Sequence, residues 1–531
     1  MTLMRSIISI ITPIRSKRLW ALLAALLLAV PWSAQAEMMT DVGVHLGIIS
    51  VATTQINPLT PVEREFMSLT SLIYEGLMYL DDNYQPQPCL AERYSSSTDG
   101  KTWFFYLRDG VSFHDGTGLT AYDVAATANE ILRLAADGQG RYQSLKYFIN
   151  SIEASDSRTV VVRTNRANYG FLYAMTFPVL KASEVQDPNP VGTGAYLMEM
   201  FEPGVYMLLS AYNGWWQNLP ENRQILVNFF STNRELISAY EYSNVDAVLT
   251  RAITAAQYRS GVSSYNIDFR TTQLETLLMN NNARELNDVQ VRQAIRYMIN
   301  MDDIVNNVYY GMVTRTDTPL IPGTWTYWNG DYHQEYNKQR ANELLDAAGW
   351  DKLAINEDGN TVRTKIIDGK VANLHLRFYV YEEQDNSVRV EVANRIADSL
   401  LEVGVECKVE TLTYKEAAEK LRAGSYDLCL AAFNIDFTPD PGYLLISGNT
   451  ANYMRYRSAE MDSLIQSKLR GTMEVSEYAQ TLREIQDLFW QDCPLVCLYY
   501  RNGAILTRRM FTDARDVREP EALRGIEYFK R

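Results

Sequence analysis

The histidines of this chain, which could bind a metal or act as general bases, are few and scattered. The histidines stand at four distant positions, and none has the spacing of a metal site. They are His45, His114, His333 and His375. The sequence therefore predicts neither a metal centre nor a cofactor.

The cysteines could form disulfides or remain buried thiols. An odd number of them leaves at least one free thiol in a monomer. Cys407 and Cys429 lie in two β-like runs, and Cys493 and Cys497 enclose Pro494 in CPLVC. The pairing among these four and the fifth, Cys89, stays open, and five buried free thiols are the alternative.

Catalytic motifs do not occur. The chain lacks G-x-S-x-G, H-E-x-x-H, the Walker A pattern and G-x-G-x-x-G. The glycine-rich stretch VGTGAY, Val191 to Tyr196, lacks the further glycine and the Lys-Ser/Thr of a phosphate loop. We therefore predict that the protein is not an enzyme, with a secreted hydrolase as the alternative.

The elements that must position any site alternate between strand-like and helix-like segments, which favours an α/β class. Strand patterns cover 42–51, 102–107 and 159–163, and helical spacing covers 62–79, 121–136, 289–300 and 388–402. Thr120 is the expected N-cap of the second helix, and Asp358-Gly359 and Asp368-Gly369 are expected hairpin turns.

The N-terminus has the pattern of a secretory signal. Residues 1–18 carry four basic residues and no acid, a 14-residue apolar run follows from Leu19 to Trp32, and Ala34-Gln35-Ala36 is a cleavage pattern. The apolar run is shorter than the roughly 20 residues that span a bilayer. We predict cleavage after residue 36, with an uncleaved membrane anchor as the alternative; no cysteine follows the run to carry a lipid.

The charge excludes one class of partner. The chain has a net charge of −14, and loss of the four basic signal residues would lower it to −18. Because an acidic protein repels phosphate backbones, we expect no nucleic-acid partner.

The length of 531 residues predicts several domains.

Five blocks resemble the periplasmic peptide/nickel-binding proteins, solute-binding family 5, which serve oligopeptide and dipeptide ABC importers. The first is WFFYLRDGVSFHDGTGLTAYDVAAT from Trp103, and the second is VGTGAY. The third is Leu278 to Gly311, the fourth covers 320–350, and the fifth is LRAGSYDLCLAAFNIDFTPDP, ending at Pro441. They occur in the order that the family shows.

The resemblance implies a two-lobed, periplasmic-binding-protein-like (Venus-flytrap) α/β fold with an extra inserted domain. Lobe I is expected to comprise 37–80, 192–277 and 495–531, the inserted domain 81–191, and lobe II 278–494. The chain is expected to cross between lobes near Thr276–Asn282 and Pro494–Arg501. Closure of such lobes on a ligand depends on differential affinity for the closed state.

The resemblance also implies ligand-contacting residues. Asp436, in the fifth block, is expected to meet the ligand's α-ammonium, unless Pro439 shifts that role to Asp440. The preceding Phe433, Asn434 and Ile435 are expected to pair with the ligand backbone, and Tyr142 and Trp325 to face the cleft. For a ligand carboxylate, Arg377, Arg389 and Arg395 are equally plausible partners.

The function that the resemblance implies is capture of di- to oligopeptides and their delivery to an ABC permease by a monomeric, periplasmic protein. The same fold could instead bind a nickel chelate, haem, an oligosaccharide or an opine, because the fold does not decide the ligand.

Overall fold

The computed structural model describes residues 43–61, 63–259, 264–328, 335–382, 388–435, 437–508 and 517–528. The expected signal sequence, His333 and Asp436 lie outside these ranges.

The described residues form an α/β structure. The strands are β1 (Val44–Ile49), β2 (Met78–Leu80), β3 (Pro86–Pro88), β4 (Ala91–Ser96), β5 (Thr102–Leu107), β6 (Ile149–Ala154), β7 (Thr159–Thr164), β8 (Tyr196–Glu202), β9 (Tyr206–Ala211), β10 (Gln224–Phe230), β11 (Ala247–Thr250), β12 (Tyr265–Met279), β13 (Val313–Arg315), β14 (Lys352–Ile355), β15 (Thr361–Ile367), β16 (Lys370–Asn373), β17 (His375–Tyr381), β18 (Glu406–Leu412), β19 (Leu428–Asn434) and β20 (Leu495–Thr507). The α-helices are α1 (Arg64–Ile73), α2 (Ala121–Ala136), α3 (Phe171–Ala174), α4 (Asn233–Glu241), α5 (Val289–Tyr297), α6 (Met301–Asp303), α7 (Lys338–Ala347), α8 (Val388–Leu401), α9 (Tyr414–Ala423), α10 (Gly442–Leu445), α11 (Ala459–Ser463) and α12 (Val475–Asp492).

A mixed sheet of eleven strands runs through the molecule in the order β18-β17-β19-β12-β20-β11-β1-β10-β9-β8, and β13 pairs with β20 outside this path. The two long central strands, β12 and β20, are antiparallel to each other. At one end of this pair β11 joins β20, and at the other end β19 joins β12. Each long strand therefore contributes to both halves of the sheet.

The pairing of β12 with β20 is irregular where the two halves meet. The register shifts between Arg270 and Leu274 and again between Glu275 and Thr276. These shifts lie just before the first expected interlobe crossing, and the β20 residues that pair with 274–278, Leu495 to Tyr500, lie within the second expected crossing. Two continuous strands thus connect the halves of the molecule.

A separate four-stranded sheet, β4-β5-β7-β6, lies within the segment expected to be an inserted domain. Trp103 and Phe105 of β5 are buried, and so are Val160 and Val162 of β7, which pairs with β5. Buried residues alternate with partly exposed ones along β5, which is typical of a sheet with one packed face, whereas Val161 of β7 is buried as well. The domain boundaries themselves remain a prediction.

The start of α2 follows from local chemistry. Thr120 is its N-cap, as the sequence predicts, and the Asp123 carboxylate accepts hydrogen bonds from the Thr120 N–H at 2.9 Å and hydroxyl at 2.7 Å. The Asp123 side chain thereby satisfies the N-cap N–H, which has no partner within the helix.

The helix expected over 62–79 was predicted too long. Helix α1 ends at Ile73, and Tyr74 is extended. The chain turns away because Gly76 packs against the backbone of Thr176 and Phe177, where a β-carbon would lie 2.7 Å from a carbonyl oxygen. The last residues of the range form β2 instead.

Other sequence predictions are confirmed with small changes at their ends. The expected apolar face of α5, comprising Val291, Ala294, Ile295 and the following Met298, is at most 1% exposed. Burial of the valine, isoleucine and methionine side chains stabilises the fold by roughly 1.5–3 kcal/mol each. The Asp368-Gly369 turn, with φ of 51° and 75°, connects β15 to β16 as expected.

A Cys407–Cys429 disulfide, one of the alternatives left open by the sequence, does not form. All five cysteines are free thiols. Cys407 lies on β18 and Cys429 on β19, and β17 runs between these strands. Because neighbouring strands are about 4.8 Å apart, two such steps exceed the roughly 7 Å that a disulfide can bridge between α-carbons.

None of the helices in the described ranges has the length and apolarity required to cross a membrane.

Candidate functional site

The candidate site is a cavity of about 770 Å³ between the expected inserted domain and the expected second lobe. Segments near residues 144–148 and 165–168 form one wall. Residues near 319–326 and 434–441 form the opposite wall. The volume lies within the range of roughly 300–1,000 Å³ that is usual for pockets that bind small molecules.

Strand β19 carries the second wall into the cavity. Its pairing with β12 extends to Asn434, and the Ile435 N–H donates to the Thr272 carbonyl at 3.0 Å. Asn434 and Ile435 both line the cavity. The apolar stretch Leu428–Ala431 is buried and anchors the strand, so its last residues are held at a fixed position.

One edge of β19 is only partly paired. On the side away from β12, the described neighbour β17 pairs with β19 at Leu428 and Cys429. Beyond Cys429, the described part of the chain places no strand on this edge. An extended backbone could therefore add to this edge by strand addition.

An ion pair lies in the wall after β19. Asp440 accepts from Arg470 Nε at 2.6 Å, and its other oxygen accepts from the Gly442 N–H at 2.8 Å. Burial disfavours the charged guanidinium, but the negative charge of Asp440 outweighs this effect and raises the pKa of Arg470. Asp440 is therefore already neutralised within the protein.

Two further cations line the opposite wall. Lys146 donates to the Ala135 carbonyl at 3.1 Å, and Arg166 Nη1 donates to the Gln466 carbonyl at 3.2 Å. Both acceptors are backbone oxygens, so these hydrogen bonds do not neutralise the charges.

The two walls are in direct contact beside the cavity. Trp325 Nε1 donates to the Tyr173 hydroxyl at 2.9 Å, and the Tyr169 N–H donates to the Thr472 carbonyl at 2.9 Å. Burial raises the pKa of Tyr173, so its hydroxyl stays protonated. The expected inserted domain therefore packs directly against the expected second lobe, so the structure is in a closed state.

Tyr84 lines the cavity in a sparsely populated conformation, with a φ of 64°. Its ring lies 4.0 Å from the guanidinium of Arg518 and 5.3 Å from that of Arg270, and its centroid is 5.6 Å from that of Phe437. Left-handed backbone costs about 1–2 kcal/mol for a residue with a β-carbon. Cation–π contacts on the ring offset part of this cost.

Among the ligand-contacting residues expected from sequence, the structure brings Asn434 and Ile435 into the cavity wall. Phe433 packs on Tyr443 and Tyr453 instead. Asp436 follows the lining residue Ile435 but lies outside the described residues.

Tyr142 and Trp325 are not part of the cavity lining. Tyr142 lies under the Arg141 guanidinium at 5.5 Å, just before the lining segment that begins at Ser144. Trp325 supports the wall from behind through its hydrogen bond to Tyr173. Ligand contact by Tyr142 or Trp325 stays a prediction that the cavity does not support.

The three arginines considered for a ligand carboxylate lie elsewhere. Arg377 pairs with Asp427, Arg389 with the buried Glu275, and Arg395 with Asp303 and Glu391. None of the three lines the cavity.

Sequence reasoning missed Lys146, Arg166, Arg470 and Tyr84. Lys146 belongs to GRYQSLKYF, the segment that sequence singled out for Tyr142, and it lines the cavity. Arg470 comes 30 residues after its partner Asp440, and no spacing rule connects them. Only the folded chain shows these contacts.

Within the described ranges, no group of three or more His, Cys, Asp or Glu side chains is placed to hold a metal ion.

Comparison of the sequence with known proteins identifies its family. The profile of the bacterial extracellular solute-binding proteins, family 5 (middle), matches residues 85–454. The oligopeptide-binding protein AppA of Bacillus subtilis (strain 168) is 22% identical over 500 residues, covering 90% of this chain and 87% of AppA. The nickel-binding periplasmic protein of Escherichia coli (strain K12) is 26% identical over 381 residues, covering 68% of this chain and 69% of that protein.

The fold is also that of solved family structures. The crystal structure of AppA from Bacillus subtilis in complex with a nonapeptide has a TM-score of 0.67 and 21% identity. The match covers 92% of this chain and 98% of AppA. The two-lobed α/β fold expected from sequence is therefore confirmed, and the relatives are binding proteins rather than enzymes. The chain belongs to family 5 of the bacterial extracellular solute-binding proteins.

Proposed function

We propose that this solute-binding protein captures peptides of two or more residues in the cavity between its walls. The free edge of β19 beyond Cys429 supports the proposal most directly, because it presents backbone donors and acceptors beside the cavity. A peptide carries matching groups at every residue and can pair with such an edge whatever its side chains.

The contacts beside the cavity suggest how binding and closure are coupled. A ligand shifts an open–closed equilibrium only through its higher affinity for one state. A peptide touching both Ile435 and the segment near Asn168 would contact both walls, and would do so only when they are closed. Water exclusion in that state strengthens each polar contact.

We further propose that Asp436 meets the peptide's α-ammonium. Its neighbours Ile435 and Phe437 both line the cavity, and the alternative carboxylate, Asp440, is already paired with Arg470. A charge-assisted hydrogen bond from an ammonium would give such a carboxylate a partner.

Peptide binding can be tested by measuring the melting temperature of the protein with and without peptide. Di- to nonapeptides of mixed sequence should raise the melting temperature, because ligands that bind only the native state stabilise it. Native mass spectrometry of protein purified from its host would give the mass of any ligand that copurifies with it. A broad peptide panel without effect, alongside a shift produced by a nickel chelate, haem, an opine or a glycan, would refute the proposal.

The test of Asp436 uses a modified ligand as its control. Asp436→Asn should weaken binding of a free peptide by about 2–5 kcal/mol, typical of truncating a buried charge pair. The same peptide with an acetylated N-terminus lacks the ammonium, so it should bind the variant and the wild type alike. Equal losses for both peptides would contradict an ammonium contact.

We also propose that the protein is exported, acts in the periplasm and delivers its solute to an ABC permease. Membership of the family supports this role. Deletion of the protein should abolish uptake of a labelled peptide that it binds, and uptake that persists unchanged would count against delivery.

A further inference from the structure

The C-terminal segment, residues 517–528, contacts the supports of the cavity without lining it. Its Glu519 N–H donates to the Arg270 carbonyl of β12 at 2.9 Å. Arg518 and Glu519 are only 2% and 4% exposed. Because a buried charge is costly unless it has partners, the contacts of these two adjacent residues show what the segment supports.

Arg518 supports one of the residues that line the cavity. Its guanidinium lies 4.0 Å from the centroid of the Tyr84 ring. The same guanidinium donates to the carbonyls of Leu80 at 2.7 Å and Asp81 at 3.0 Å. Since Leu80 ends β2 shortly before Tyr84, Arg518 holds both the aromatic ring and the backbone that leads to it.

Glu519 supports the opposite side of the cavity through β12. Its carboxylate accepts from the Thr272 N–H at 3.1 Å, and the Thr272 carbonyl accepts from the N–H of the lining residue Ile435 at 3.0 Å. Thr272 lies between Arg270 and Leu274, where the pairing of β12 with β20 is interrupted. Glu519 thus supplies the acceptor that this backbone N–H needs.

Two arginines hold the Glu519 carboxylate in position. Arg64 Nη2 donates to it at 2.6 Å, and Arg251 Nε donates at 2.7 Å. Burial alone would raise the pKa of Glu519, but the positive charges of Arg251 and Arg64 lower it. Arg64 also donates to the Gln273 side chain at 2.9 Å. The network therefore joins α1, β12 and the C-terminal segment.

We propose that Arg518 and Glu519 are positioning residues for the cavity: from outside it, they hold Tyr84 on one side and the contact between Thr272 and Ile435 on the other. The assignment rests on the proposed capture of a solute in this cavity. Solute affinity then depends on a segment that does not touch the solute. By linkage, a ligand that orders Ile435 also stabilises the contacts of Glu519.

Variants of the pair Arg64 and Glu519 test the assignment. Arg64→Gln removes both contacts of the arginine and leaves Arg251 to neutralise Glu519, whereas Glu519→Gln removes the negative charge. The matched controls are Arg133→Gln and Glu130→Gln on α2. Their pair has the same distance of 2.6 Å, and the Glu130 side chain is 8% exposed against 6% for Glu519.

Hydrogen–deuterium exchange of the ligand-free protein is the first measurement. In Arg64→Gln and Glu519→Gln, the amide of Ile435 should exchange several-fold faster than in the wild type, because its acceptor on Thr272 is no longer fixed. Exchange at Ile435 should be unchanged in the two control variants. This measurement requires no ligand, so it is independent of whether peptides bind.

Ligand affinity is the second measurement, by calorimetry with a peptide that raises the melting temperature of the wild type. Arg64→Gln and Glu519→Gln should each weaken binding by about fivefold or more. The control variants should lower the melting temperature and leave the affinity unchanged. In the converse experiment, the same peptide should slow hydrogen exchange in the C-terminal segment of the wild type.

Wild-type affinity in folded Glu519→Gln would overturn the inference, even with faster exchange at Ile435, because the network would then contribute to stability alone. Equal losses of affinity in the control pair would overturn it as well. If Glu519→Gln does not fold, Arg64→Gln decides, since Arg64 is 28% exposed and Glu519 keeps its bond to Arg251.

Failure of the proposed function gives a different result. If no peptide in the panel binds, peptide capture is refuted. Exchange at Ile435 in the ligand-free variants then still supports the positioning role if it is faster, and refutes that role if it matches the wild type.

Discussion

The indole Nε1 of Trp325 and the hydroxyl of Tyr173 form a hydrogen bond of 2.9 Å beside the cavity. Trp325 belongs to the expected second lobe and Tyr173 to the expected inserted domain. The Tyr169 ring packs edge-to-face on the Trp325 ring, and the Tyr169 ring also contacts the ring of Tyr478. Contact between the two walls thus buries aromatic surface and includes this partly buried hydrogen bond.

Loss of the Tyr173 hydroxyl should shift the protein towards an open state. Tyr173→Phe leaves the Trp325 N–H without its acceptor, at a cost of about 1–3 kcal/mol to the closed form. We expect ligand affinity, measured by calorimetry, to fall about fivefold or more.

The control for this variant is Tyr196→Phe. The Tyr196 hydroxyl donates to the Asn222 carbonyl at 2.8 Å within one half of the molecule. Its loss should lower the melting temperature and leave ligand affinity unchanged. Equal affinities in Tyr173→Phe and wild type would show that the Trp325 contact does not support closure.

Glu75 should make stability fall as the pH rises towards neutrality. Although the residue keeps some solvent exposure, burial of its carboxylate raises its pKa to about 7, despite hydrogen bonds from Trp216, Trp215 and Thr193. Between pH 4.5 and 7 the folded state then holds a proton that the unfolded state has lost, so stability decreases over this range.

Glu75→Gln removes this dependence. Chemical denaturation should find the variant about 1–3 kcal/mol more stable than the wild type at pH 8, and close to it at pH 5. The glutamine can still accept from an indole N–H. A variant less stable than the wild type at both pH values would show that the contacts need a carboxyl group at this position, and would contradict the expected gain.

His114 should have the opposite effect on the acid side. Burial lowers its pKa, while Nε2 lies 3.0 Å from the Gly194 carbonyl and Nδ1 accepts from the Gly192 N–H. Below pH 6.5 the unfolded chain binds a proton at this histidine that the folded chain does not bind. The free energy of unfolding therefore falls as the pH drops.

Nuclear magnetic resonance can follow this titration directly, because the chain has four histidines. The ring signals of His114, assigned with His114→Gln, should titrate with a midpoint below the value of about 6.5 that an ordinary histidine shows. A midpoint at or above 6.5 would contradict the expected direction.

The cysteines should react as five free thiols after denaturation without reductant. Burial raises the pKa of Cys407 and Cys429, so both should resist alkylation in the native state at pH 7.5. Mass spectrometry after alkylation in guanidinium should then find five labels per chain. Three labels would reveal a disulfide and contradict the free-thiol arrangement.

Much of the architecture could be predicted from local sequence. The helix after Thr120, the apolar face containing Val291 and the turn at Asp368-Gly369 all follow from contacts within a few residues. The family resemblance predicted the two-lobed fold for the same reason: its five blocks are turns, caps and core positions whose spacing is readable along the chain.

Tertiary structure decided where the charges of the site lie. Asn434 and Ile435 were expected from the family resemblance, whereas the segments that carry Lys146 and Arg166 are joined by a hydrogen bond from Asn165 to the Tyr147 carbonyl. Which of many arginines is neutralised and which stays available depends on partners distant in sequence. Sequence therefore determined the class of protein and the strand that supports the site, and only the folded chain determined which charged side chains line the cavity.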